Sequence, residues 1–499
     1  MNIYIHRLLA FKDYQSYSKI ELINKCWETI CKINSITKLY QTLSFDLILH
    51  LDKAVETSKS NKQDFAEVSS PIDLLKIISE NISKKYICQS NAKFLDYSCG
   101  KGNIVLIMFL KYYQEFLKEY EKSQYQNYSL NLNRCDYYSY SIKEKICRHI
   151  CEKCIYYADI NPMNVFITTY KLKSICKLLC KKDDFNFNFS IGDSFKLNTV
   201  DVWNVSKFDI IFVNPPFEDR NNRNKTPHKL WIDFTIKTFR EWLQTDGFLI
   251  QISPASFSSP SSKIIQLFRD KNIKEIHFNQ EKYFKNISIS ITWYIIQNNS
   301  ILANTNVNNK YSILINDKML YIPNDCNPIS LSIHKKVMFD TIHKLKIEKD
   351  YVTCHNIRIK EKNPPLSKVK TNKHVYPVFH TNKQIWYSSI KQNFSHCKKV
   401  MWTRSGYTKP FYDKEGTYGV TDLGYFVKVS SDKKGINLNY NLNQKLFTYI
   451  LKTAKWSGFG NDKVFSALPS LPNKKLLDDE LFDYFKLTTD ERKYIIDSL

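Results

Sequence analysis

Apolar residues recur along the chain with two periods, and the switches between them mark out its elements. Ile20-Glu-Leu-Ile-Asn-Lys-Cys-Trp-Glu-Thr-Ile30 and the stretch from Leu43 to Leu51 have the spacing of amphipathic helices, as does Leu74-Leu-Lys-Ile-Ile78. Short apolar runs rich in β-branched and aromatic residues follow: Phe94-Leu-Asp96, Ile155-Tyr-Tyr-Ala-Asp159, Phe189-Ser-Ile191 and Asp209-Ile-Ile-Phe-Val213. Each reads as a buried strand, and a helical pattern opens at Ile104 after the first of them. Strand and helix in alternation predict an α/β fold with helices on both faces of a parallel sheet. Between Gln114 and Cys154 the chain is longer than a simple crossover needs and includes the polar run Gln124-Tyr-Gln-Asn-Tyr-Ser-Leu-Asn-Leu-Asn133. It reads as a helix, a surface insertion and a second helix.

The strand ends hold the candidate chemistry. The first runs into Asp96-Tyr-Ser-Cys99-Gly100-Lys-Gly102-Asn103, where glycines let the backbone pass close to a ligand and the acid suits an amino group. The second ends in Asp159-Ile160-Asn-Pro162 and the third in Asp193-Ser194. A carboxylate at the end of such a strand, here Asp159, takes up ribose hydroxyls in nucleoside-binding α/β folds and Asp193 is placed for the adenine of a cofactor, whereas any one of these acids taken alone reads more readily as a turn or helix cap. The fourth ends in Asn214-Pro215-Pro216-Phe217. A rigid Pro-Pro turn there aims one side-chain amide and one backbone carbonyl, and two such acceptors on the hydrogens of an exocyclic amine stabilise the positive charge that develops as it attacks. The Phe217 ring is placed to stack on a base.

In this order the motifs resemble the S-adenosylmethionine-dependent amino methyltransferases, specifically the gamma-class DNA adenine-N6 enzymes of restriction-modification type. The family's Thr-Pro-like motif is matched by Val68-Ser-Ser-Pro71, and later stretches match at His228-Lys-Leu-Trp231, Asp246-Gly-Phe-Leu-Ile-Gln-Ile-Ser-Pro254 and Tyr283-Phe284-Lys-Asn-Ile-Ser-Ile-Ser-Ile291. The resemblance implies a Rossmann-like methyltransferase sheet. It also implies S-adenosylmethionine held by Pro71, Asp96, Cys99, Gly100, Gly102, Asp159, Ile160, Asp193 and Ser194, with no metal. Asn214, Pro215, Pro216 and Phe217 would be catalytic, and Phe284 would be a second ring against the flipped base or else a core aromatic. The family usually has Pro where this chain has Tyr97.

The chain has 499 residues and a formal charge of +24, a balance that favours a polyanionic partner. From Tyr351 to Pro410 the only acid is Glu361, whereas the bases include Arg358, Lys360, Lys362, Lys368, Lys370, Lys373, Lys383, Lys391, Lys398, Lys399, Arg404 and Lys409. Interleaved Tyr376, Phe379, Trp386, Tyr387, Trp402 and Tyr407 suit such a region to phosphates and bases, the plain alternative being a solvated face over core aromatics. Residues 1–60 read as a helical region, 61–300 as the catalytic domain and 301–499 as an α+β target-recognition domain, after a polar linker from Gln297 to Lys310. Lys399-Val-Met-Trp402, Leu442-Asn-Gln-Lys-Leu-Phe and Lys455-Trp-Ser-Gly-Phe459 resemble the family's recognition region.

The expected partner is duplex DNA, with RNA as the alternative because a basic aromatic surface serves either. Thirteen cysteines, including Cys135, Cys147, Cys151 and Cys154 near His149, suit free buried thiols better than a zinc site. Without a long apolar stretch, the expectation is an intracellular monomer, with any cognate restriction endonuclease on a separate chain.

Overall fold

The computed structural model describes residues 19–55, 69–82, 92–126, 141–218, 229–258, 262–268, 271–278, 280–284, 289–299, 310–315, 318–323, 333, 335–339, 343–348, 365–381, 384–404, 409–453 and 461–499. Val68, Cys135, His228, Arg358, Lys360, Lys362, Lys383, Tyr407 and Lys455–Phe459 lie outside them, as do most of the insertion and of the polar linker.

Three helices come first: α1 (Lys19–Lys38), α2 (Phe45–Ala54) and α3 (Ile72–Asn81). The Ser44 hydroxyl caps α2 by accepting from the Leu47 N–H, and Pro71 stands at the start of α3, where its missing N–H costs nothing. Strand and helix then alternate through β1 (Phe94–Asp96), α4 (Asn103–Gln126), α5 (Ile142–His149), β2 (Ile155–Asp159), α6 (Pro162–Cys180), β3 (Asn188–Ile191), α7 (Thr199–Trp203), β4 (Phe208–Val213), α8 (Leu230–Lys237) and β5 (Leu243–Pro254). After α9 (Lys263–Phe268) come β6 (Asn272–His277), β7 (Ile291–Gln297) and a hairpin of β8 (Lys310–Ile315) and β9 (Lys318–Pro323).

These nine strands form one sheet in the order β3-β2-β1-β4-β5-β7-β6-β8-β9. The pairs from β3 through β5 are parallel, and β7 runs antiparallel to both β5 and β6. This is the expected α/β sheet with helices on both faces. The hairpin of residues 310–323 extends it beyond residue 300, through a parallel pairing of β8 with β6.

Alternate residues of the strands enter different cores, as the two-residue period requires. Phe94, Ile155, Tyr157, Ile210 and Phe212 pack on one face with Ile30, Ile33, Leu47 and Leu51 of α1 and α2. Leu95, Tyr156, Ala158, Ile211 and Val213 pack on the other, in a cluster continuous with Trp402, Tyr425, Leu446, Tyr449 and Ile495 from the last hundred residues.

The C-terminal part has β10 (Leu366–Ser367), β11 (Tyr376–Thr381), β12 (Gln384–Ser388), β13 (Lys399–Thr403), β14 (Phe411–Asp413), β15 (Gly419–Val420) and β16 (Gly424–Lys428), in sheets ordered β10-β12-β11-β15 and β14-β13-β16. Helices α10 (Asp432–Leu442), α11 (Lys445–Thr453), α12 (Asn461–Ala467), α13 (Asp478–Tyr484) and α14 (Thr489–Ser498) close the chain. Among the described residues no helix is long and apolar enough to cross a membrane.

Candidate active site

Between β1 and β4 the strand order reverses, and ligands of open α/β sheets bind in the crevice outside the carboxyl ends at such a point. The loop after β1 holds Asp96 to Gly102, and the loop after β4 holds Asn214 to Phe217. The sequence-predicted residues of both loops therefore lie at the same edge of the sheet, after adjacent parallel strands.

Asp96 is fully buried; its Oδ1 accepts from the Ser98 N–H at 3.1 Å, and its Oδ2 has no hydrogen-bond partner among the described residues. Burial pushes its carboxyl well above the ordinary value, against the lowering effect of the Ser98 N–H, and the nearby charge of Asp159 raises it further. Gly100 has φ +50° with no atom within 4 Å of where a Cβ would stand, so the loop borders open space there. Gly102, at φ +84°, instead lies so close to α6 that a Cβ would be 2.6 Å from Thr168 Oγ1. An orphaned buried carboxyl oxygen beside an unfilled glycine cradle fits a ligand that brings a cationic amino group.

Asp159, at the end of β2, knots these loops together. Its Oδ2 accepts the Gly100 N–H at 2.8 Å, while Oδ1 accepts the Asn161 N–H at 2.8 Å and the Asn164 amide at 3.3 Å. Ile160 beside it is 57% exposed. Asp193 is exposed and caps the turn at 194–196 by accepting the Phe195 N–H at 3.0 Å, and the buried Ser194 hydroxyl donates to the Tyr97 carbonyl at 2.6 Å. Cys99 turns its thiol into the core toward Thr168 Oγ1, 3.8 Å away, and its N–H donates to the Ala158 carbonyl at 2.9 Å.

Asn214 is half-buried and donates through Nδ2 to Ser70 Oγ at 3.1 Å, which turns the amide's acceptor oxygen away from Ser70. Pro215 is buried and Phe217 is half-buried, packing against both cores. Phe284 is 7% exposed and belongs to the core cluster that Phe217 borders.

Several residues with parts in this architecture carried no signal in the sequence. Lys171 lies in α6 at 0% exposure and donates to the Lys101 carbonyl at 2.8 Å; burial lowers its amine to about 8. Lys101 in turn donates to the Val55 carbonyl at 2.7 Å, and Asn103 reaches Asp52 Oδ1 at 2.6 Å, so α2 is bound to the glycine loop. Ser70, the residue before Pro71, is another.

The basic region divides in two. Lys368, Lys370, Lys373, Lys391 and Lys409 are exposed. Lys399 is not: it is wholly buried, its Nζ 2.6 Å from Asp413, so it does not fit the phosphate-gripping role expected of it, whereas Lys398 is exposed and pairs at the surface with Asp432 at 2.5 Å. Trp402 and Phe379 are likewise core residues. Among the described residues no group of three or more His, Cys, Asp and Glu is disposed to hold a metal ion. Cys147, Cys151, Cys154 and Cys176 are buried, with the Cys151 and Cys176 sulfurs 3.7 Å apart.

No family model matches the chain. A type II restriction enzyme and methyltransferase of Escherichia coli, RM.Eco57I, is 27% identical over 275 residues, covering 44% of this chain and 26% of that protein. The match thus spans about a quarter of that relative's length. Among solved structures, the type IIL restriction-modification enzyme MmeI in complex with DNA has a TM-score of 0.48 at 9% identity, covering 91% of this chain and 79% of that one. A DrdV–DNA complex has a TM-score of 0.46 at 9% identity, covering 86% and 57%. At that level neither structure decides a function. The kinship read from the motifs is borne out by the sequence relative: the chain is similar to the methyltransferases of restriction-modification systems.

Proposed function

We propose that this chain is a DNA adenine-N6 methyltransferase using S-adenosylmethionine. The observation that supports the reading is that the loop bearing Asp96 and Gly100 and the loop bearing Asn214-Pro215-Pro216-Phe217 follow the carboxyl ends of adjacent parallel strands on either side of the reversal point. When bound, S-adenosylmethionine supplies an electrophilic methyl group on a sulfonium.

The chain's own residues do the rest. The Asp96 carboxylate takes the ammonium of the methionine moiety, and the open side of Gly100 admits its backbone. Asp159 offers ribose hydroxyls a carboxylate with about four acceptor positions, consistent with the bonds it already makes. Asp193, Ser194 and Ile160 border the adenine, and Pro71 and the Cys99 backbone line the crevice. Asn214 Oδ1 and the Pro215 carbonyl accept the hydrogens of the target N6 amine, so its lone pair turns toward the methyl carbon. No residue would need to bond covalently to the methyl group, which would pass from the sulfonium to the amine with the thioether as leaving group, and the amine proton would leave to solvent. Reaching the amine requires the adenine to be flipped from the duplex at a cost of a few kcal/mol, with Phe217 stacking on it and Phe284 supporting from behind.

Residues 61–300, with the hairpin at 310–323 that joins their sheet, form the catalytic domain in this reading and the rest of 301–499 the DNA-binding part, with the exposed lysines on phosphates. The test is transfer of labelled methyl to unmethylated duplex DNA, RNA and protein in parallel, followed by nucleoside analysis. N6-methyladenine in DNA is expected, and its loss in Asn214→Ala with cofactor binding retained assigns the catalytic amide. Label in RNA or protein alone would overturn the substrate.

A further inference from the structure

We infer that Ser70 is a positioning residue for Asn214, and that Asp52 and Asn103 hold it in place. The inference rests on the catalytic reading of Asn214 proposed above. An asparagine that must present its oxygen to an amine has two faces of nearly equal shape, and the wrong one presents two donors to a donor. A contact must hold the amide in place. The Ser70 hydroxyl lies 3.1 Å from Asn214 Nδ2, within ordinary hydrogen-bond range, and accepts from it, anchoring the side chain from its nitrogen side.

Ser70 is itself buried and held by its backbone. Asn103, the buried first residue of α4, donates Nδ2 to the Ser70 carbonyl at 3.1 Å and to Asp52 Oδ1 at 2.6 Å. Asp52 Oδ1 lies also 3.5 Å from the Ser69 hydroxyl. The chain Asp52–Asn103–Ser70–Asn214 thus joins α2, the glycine loop and the loop after β4. Residues from three separate parts of the sequence therefore anchor one amide, and this gives the N-terminal helices a part in the chemistry.

The experiment compares wild type, Ser70→Ala and Ser70→Thr for turnover at saturating cofactor and DNA, with S-adenosylmethionine affinity measured by calorimetry. Ser70→Ala is expected to lower kcat by about tenfold to a hundredfold, the scale of a misaimed catalytic group, with cofactor Kd little changed. Ser70→Thr keeps the hydroxyl and is expected to restore the rate. Unchanged kcat in Ser70→Ala, or a loss confined to cofactor Kd, overturns the inference and leaves the functional reading standing. A wild type that methylates no acceptor overturns the functional reading. Asparagine-selective 15N labelling then still decides the contact: the side-chain amide signal missing from Asn214→Ala must move in Ser70→Ala, and a signal that stays in place overturns the pairing.

Discussion

The Asp159 carboxylate accepts the Gly100 backbone N–H at 2.8 Å, so the end of β2 fixes the curvature of the loop that follows β1. A residue expected from its position to serve a ligand also serves the loop beside it. Removing it leaves the N–H groups of Gly100 and Asn161 without their acceptor. Asp159→Ala should lower unfolding stability by about 2–3 kcal/mol, the scale for losing charge-assisted bonds to buried donors. A urea titration reads this, and cofactor affinity should fall in the same variant.

The two glycines of that loop should respond differently to alanine. Gly100→Ala adds a methyl where nothing stands within 4 Å, at the strain of about 1–2 kcal/mol that a left-handed non-glycine residue carries. Its main effect should be on S-adenosylmethionine affinity, because the methyl enters the cradle. Gly102→Ala drives a methyl into Thr168 and should lower the melting temperature more than Gly100→Ala does. Melting curves and calorimetry on the pair separate the two effects.

Cofactor affinity should depend on pH through Asp96. Burial raises its carboxyl well above the ordinary 3.8, so without ligand the group is protonated over a range where a free carboxyl is charged. A carboxyl raised in the folded state contributes stability that is complete below its unfolded value and is lost as pH rises through its folded one. The ammonium of the cofactor prefers the carboxylate. Affinity should therefore increase as pH rises through the elevated value, with a proton released on binding, and Asp96→Asn should bind weakly with that dependence gone. Calorimetry in buffers of different ionisation heat counts the proton.

Charge changes among the lysines should sort into two kinds. Reversing the exposed Lys368, Lys370 and Lys373 should weaken duplex binding and reduce the salt slope by about 0.9 for each phosphate that is no longer neutralised. Lys399→Met should instead strand the buried Asp413 carboxylate and destabilise the fold by about 3–5 kcal/mol. Salt titrations of DNA binding, set beside urea titrations, distinguish grip from fold.

Much of this was legible in the sequence because the information is local. Asp96, Gly100, Asp159, Asp193 and Asn214 stand at strand ends that β-branched runs announce, and parallel pairing brings those ends to one side. What escaped depends on the pairing of distant segments. Lys171 reads as a solvated helix position, yet a carbonyl from residue 101 satisfies it in the interior. Lys399 reads as one more base in a basic stretch until β13 pairs with β14 and sets it beside Asp413. Ser70 is one small polar residue beside another, and what separates it from the exposed Ser69 is its burial and its contact with Asn214, far along the chain. The hairpin at 310–323 joins the sheet through β6, a choice of neighbour that periodicity does not encode.

The apolar cluster that runs from Leu95 and Ile211 to Trp402, Leu446 and Ile495 bears on how new sequence preferences can arise. A C-terminal half that shares its interior with the nine-stranded sheet is not a cassette: a foreign replacement would have to reproduce the whole seam of side chains, or leave a hydrophobic scar on both pieces. Surface segments such as the one bearing Lys368 to Lys373 take no part in that seam. On the proposed DNA-binding reading, diversification of recognition is therefore easiest one exposed segment at a time, over a shared interior that changes slowly.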